Sequence, residues 1–112
     1  GPALVVSILM LPDVTVDFLI AIPGYEEEVL ARARSFKFGE MTLQVCSSED
    51  FIIHKIIADR PKDWVDVEGV LIEQQGQLDQ AYIRIWLEQF AEILDRPDWL
   101  DRYESLVRQI GF

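Results

Sequence analysis

An aspartate interrupts an apolar run at Val14-Thr15-Val16-Asp17-Phe18-Leu19-Ile20. A carboxylate in such a place is costly to bury unless it is paired or bound to a metal. Strand alternation puts Asp17 on one face with Thr15 and Leu19, opposite Val16, Phe18 and Ile20. Taken alone, the pattern also admits an edge strand whose Asp17 faces water.

A second concentration of charge runs from Asp50 to Asp66. It contains Lys55, Arg60, Lys62, Asp63 and Asp66 on both sides of Pro61. Asp63 and Asp66 share a helix face, and Lys62 lies four residues before Asp66, a spacing at which the two can pair. Lys55 stands among isoleucines, so its amine must reach out of the apolar surface or find a partner. Cations gathered at a helix junction can hold phosphate oxygens. On physical chemistry alone, the plainer reading is a salt-bridge cluster that fixes the angle between two helices. His54 has no companion ligands at metal-binding spacing and reads as a partly buried or surface imidazole. The single cysteine, Cys46, reads as a small apolar residue ending a strand.

The elements that must position these residues follow from periodicity. Leu4–Met10 and Val14–Ile22 are apolar runs rich in Val and Ile, and Met41–Cys46 alternates. All three read as strands. Tyr25–Phe36 reads as a helix, with glutamates in its first turn and Arg32 and Arg34 near its end, the charge order that the helix dipole favours. Phe36–Glu40 reads as a turn around Gly39. Ser47-Ser48-Glu49-Asp50 is a helix start, and Pro61 stops or restarts that helix. Further helices are expected at 61–75, 80–94 and from Pro97 to about Gly111, each with an apolar stripe. The fold class read from this order is α/β (α+β): a small mixed sheet of about three strands, then a mostly helical C-terminal half. The whole of 1–112 reads as a single domain, with the sheet and first helix in 3–46 and the helical part in 47–112. Gly1-Pro2 reads as a scar of tag removal.

Composition sets limits on function. The chain of 112 residues carries a net charge of −10, and half of it is hydrophobic. A core is therefore expected, while so much negative charge argues against holding duplex nucleic acid. One cysteine allows no internal disulfide, which fits a reducing, cytoplasmic setting. No apolar run approaches the roughly 18 residues of a membrane span, so no membrane partner is expected.

The stretch Ser47–Lys55, continued by Ala58-Asp59-Arg60-Pro61-Lys62-Asp63-Trp64-Val65-Asp66-Val67, resembles a motif of prokaryotic nucleotidyltransferase-like proteins, among them the abortive-infection toxin group and its uncharacterised relatives. Asp79–Leu87 is similar to the next helix of that family. Val16–Ile20 with Pro23-Gly24-Tyr25-Glu26 is similar to the strand carrying its third carboxylate. The resemblance spans roughly residues 14 to 94 and corresponds to the C-terminal part of such a protein. It implies an NTP substrate and magnesium-dependent nucleotide transfer of toxin–antitoxin or defence type. It would make Asp17 a metal ligand or general base and turn Lys55 toward the triphosphate. Arg60, Lys62, Asp63 and Asp66 would contact or support the nucleotide. The Gly-Ser turn and Asp-x-Asp pair of the family do not precede Asp17, and one carboxylate cannot assemble a two-metal site. The expectation is a truncated or degenerate domain that is inactive in this form, using magnesium only if the missing front half is supplied. The alternative is a non-catalytic interaction or dimerisation module, binding a second copy or another protein through a surface that the lost strands would have covered.

Overall fold

A computed structural model describes residues 4–6, 24–38 and 41–111. Asp17 and most of the two apolar runs before Pro23 lie outside the described residues. The expected class is corrected: the chain is mostly helical. Among the described residues five helices, α1 (Tyr25–Arg32), α2 (Ser48–Ala58), α3 (Pro61–Glu73), α4 (Gln80–Ile93) and α5 (Asp98–Ile110), provide the framework. The physical reason is where the buried apolar surface lies. Apart from Cys46, the described buried hydrophobic side chains all stand on helices, from Tyr25 and Val29 on α1 to Trp99, Tyr103 and Val107 on α5.

The extended segments are short: β1 (Leu4–Val6), β2 (Arg34–Phe38) and β3 (Met41–Val45). The expected strand Met41–Cys46 is present as β3 and the start of Leu4–Met10 as β1, Val14–Ile22 lies outside the described residues, and β2 is not among the strands expected. β3 runs between the other two, parallel to β1 and antiparallel to β2, with Arg34 opposite Val45 and Phe38 opposite Met41. The second of these replaces the end of the helix expected at Tyr25–Phe36. That helix stops at Arg32, and Ala33 takes an extended conformation. The reason is local: Ser35-Phe36-Lys37-Phe38 alternates polar and apolar residues, a period-2 pattern that cannot place both phenylalanines on the stripe of α1.

The helices after α1 begin where their sequence directs. Ser47 caps α2 by accepting from the Asp50 amide at 3.1 Å, and Asp59 closes it in a left-handed conformation, φ 55°. Pro61 then occupies the first turn of α3, where its missing N–H costs nothing. Asp79 caps α4 through the Tyr82 amide at 3.1 Å. On α5 the residues Trp99, Tyr103 and Val107 recur every four positions and are the buried side of a strongly two-faced helix. Among the described residues no helix is long and apolar enough to cross a membrane.

Candidate functional site

Three helices meet on one carboxylate. Asp50, in the first turn of α2, has no exposed surface. Its Oδ1 accepts the hydroxyl of Tyr25 on α1 at 2.9 Å and that of Tyr82 on α4 at 2.7 Å. Its Oδ2 accepts the Ser47 hydroxyl at 2.9 Å. Burial pushes the Asp50 carboxyl up, while the three hydroxyls and the Arg32 cation pull against that rise. Burial and the Asp50 charge push the Tyr25 and Tyr82 phenols far above their ordinary value, so both remain donors. Asp50 is thus a satisfied structural anion, with each hydroxyl directed inward.

One turn on, His54 is equally buried. Its Nδ1 lies 2.6 Å from the Asp50 carbonyl oxygen, and its Nε2 has no hydrogen-bond partner. A neutral imidazole protonated on Nδ1 donates to that carbonyl and leaves Nε2 as a bare acceptor. Burial holds the ring at about 4, well below the ordinary histidine value.

The charged junction between α2 and α3 is assembled as a closed set of pairs. Asp63 is fully buried and takes Nε of Arg60 at 2.6 Å, its Nη2 at 3.2 Å and its amide at 3.1 Å. Lys55 reaches Asp63 at 3.3 Å and Asp66 at 2.9 Å. Burial raises the Asp63 carboxyl, but its bonds to Arg60 and Lys55 outweigh this and leave it below the usual carboxylate range. Lys55, Arg60, Asp63 and Asp66 are therefore brought together, and their charges are spent on one another. Lys62 is exposed; Asp66 pairs with Lys55, not with Lys62 as the spacing suggests. Beside the junction, Asp59 accepts from the Trp64 indole at 2.7 Å and from Arg96 at 2.6 Å, which ties the α2–α3 elbow to the turn before α5.

Open space lies on another side of the same helices. A cleft of about 520 Å³ opens where the end of α1 and start of β2 face the β3–α2 junction and the α3–α4 loop. Its wall includes Arg32, Arg34, Ser48, Glu49, Gln74 and Gln77. Arg32 packs its guanidinium 3.9 Å above the Tyr82 ring and lies 3.4 Å from Glu49. Its Nε is buried without a hydrogen-bond partner. Arg34 is exposed and makes no ion pair among the described residues. Cys46 also borders the cleft, but burial and the Asp50 charge push its thiol up to about 12, so it is not a nucleophile.

In the sequence Arg32 and Arg34 read as cations complementing a helix end; two arginines two positions apart are the available signal. The Tyr25–Asp50–Tyr82 contact had none, because its members are 25 and 32 residues apart. A family model described as a nucleotidyl transferase of unknown function (DUF2204) matches residues 2–97. The chain belongs to that family. The match starts ahead of the stretch that carries the motif resemblance and includes every expected site residue, Asp17 among them. No curated protein and no solved structure matches the chain. Among the described residues of this DUF2204 chain no three His, Cys, Asp or Glu side chains gather as a metal site, and Asp17, the expected magnesium ligand, lies outside them.

Proposed function

We propose that this DUF2204 chain is a nucleotide-binding domain of a nucleotidyl transferase of toxin or defence type, and that it binds NTP without turning it over by itself. The observation that carries this reading is the arginine-bordered cleft in a member of that family: a space of about 520 Å³ falls in the ordinary range for small-molecule sites, about 300–1,000 Å³. The family match supports the substrate class. The absence of Gly-Ser and Asp-x-Asp anywhere in the sequence supports the lack of turnover. In this reading Asp17 is the carboxylate reserved for magnesium, while Lys55, Arg60, Asp63 and Asp66 brace the junction of α2 and α3 and Lys62 lies exposed beside them.

The test is release of pyrophosphate from each of the four NTPs with magnesium. The chain alone is expected to release none above the protein-free rate. Steady release that survives Asp17→Asn would contradict both the lack of turnover and the assignment of Asp17. A second reading, a dimerisation or protein-interaction module, is favoured by Val65 and Ile72, two exposed apolar residues seven apart on one face of α3. Light scattering separates the two, since a nucleotide-binding monomer needs no second copy.

A further inference from the structure

We propose that the cleft between α1–β2, the start of α2 and the α3–α4 loop binds the polyphosphate chain of its ligand, with Arg34 and Arg32 as the principal cations. The claim deepens the nucleotide reading by assigning the phosphate-holding residues. It places them away from the Lys55–Arg60–Lys62 segment that the motif points to.

Charge is the first argument. In a molecule of net charge −10, cations are scarce, and five of those described, Arg32, Lys55, Arg60, Arg84 and Arg96, lie within 3.5 Å of a carboxylate. Lys55, Arg60 and Arg96 each sit within 3.3 Å of a carboxylate. Among the described residues Arg34, like Lys62, Arg102 and Arg108, has no such partner, and of these four it is the one in the cavity wall. The acid in the wall, Glu49, is already engaged: it accepts the Asp79 amide at 3.0 Å and faces Arg32 at 3.4 Å. The wall therefore keeps an uncompensated positive charge, where an anion gains attraction without displacing an existing pair.

Donor geometry is the second argument. Arg32 is fixed by its stacking on Tyr82 and by Glu49, and Asp79 lies 3.9 Å from its Nη2. Its Nε is left buried with no acceptor. A buried guanidinium N–H without an acceptor is unfavourable, and an oxygen entering the cleft would satisfy it. The Ser48 hydroxyl and the amides of Gln74 and Gln77 add neutral donors along the wall. Arg32 is pre-positioned by the same tyrosine that anchors Asp50, so binding there need not order a free side chain.

The experiment is a calorimetric titration of the whole chain with inorganic tripolyphosphate, without metal, repeated with Arg34→Glu and Arg34→Gln. Arg108→Glu, the same charge change on α5 outside the cleft, is the control for general electrostatics. Binding to the wild-type chain is expected, weakened about tenfold or more by Arg34→Glu and less than about twofold by Arg108→Glu. Arg34 is exposed, so these variants fold, and circular dichroism verifies it. No binding of tripolyphosphate to the wild-type chain, or equal weakening by Arg34→Glu and Arg108→Glu, overturns the proposal. An arm with Mg-NTP separates the two claims. Tripolyphosphate binding that Arg34→Glu abolishes, with no NTP binding, keeps the cleft assignment and removes the nucleotide reading. NTP binding that is indifferent to Arg34 does the reverse.

Discussion

A carboxylate with no exposed surface keeps its charge only where donors stand in for water, and Asp50 receives three hydroxyls in that role. Removing one of them leaves the anion short of a bond in a place that water does not reach. Tyr25→Phe or Tyr82→Phe is expected to cost about 2 kcal/mol each in urea unfolding. The two losses should be non-additive in a double-mutant cycle, because both act on the same oxygen. Additive losses of a few tenths would show the network to be incidental.

His54 gives this scale its pH dependence. Its folded value of about 4 lies below the ordinary 6.5, so the unfolded chain takes up a proton first. Stability should fall as pH drops from 6.5 toward 4, by about 3 kcal/mol in all. Asp50, whose value is raised, works the other way above its ordinary 3.8 and trims the loss. Denaturation at stepwise pH with His54→Asn, whose shorter amide does not titrate, should remove most of the slope. An unchanged slope would locate the titration elsewhere.

At the scale of elements, the α2–α3 elbow tests whether the charged motif is brace or binding surface. Asp63→Ala would take the partner of the Arg60 amide and leave Lys55 with Asp66 alone, and should cost about 1–2 kcal/mol in urea unfolding. Lys62→Ala should stay within about 0.5 kcal/mol and leave ligand affinity unchanged. A Lys62→Ala variant that loses binding would restore the motif to a nucleotide-contacting role. The helices themselves were legible: Ser47, Pro61, Asp79 and Pro97 mark their starts within a residue or two, because caps and prolines act locally. Arg34–Phe38 was not legible, because the helical stripe before it and the glycine after it both invited other readings, and its strand character is expressed through pairing with Met41–Val45. The pairing of Lys55 across the proline with Asp63 and Asp66 was half legible: spacing put the charges together but gave Asp66 the wrong lysine. The cleft was the least legible feature, since its wall is drawn from three separated segments.

At the scale of the whole molecule, a chain this acidic repels free polyanions, so any phosphate ligand must be drawn in by a local exception to the net charge. In the proposed reading the Arg32–Arg34 cleft is such an exception, and the DUF2204 match is the ground for proposing a nucleotide there. The most direct measurement is a calorimetric titration of the chain with each NTP in the presence of magnesium, at low and at physiological salt. The account predicts saturable heat at one ligand per chain, weaker at the higher salt, with the nucleotide recovered intact. No heat from any of the four nucleotides at either salt concentration would contradict it.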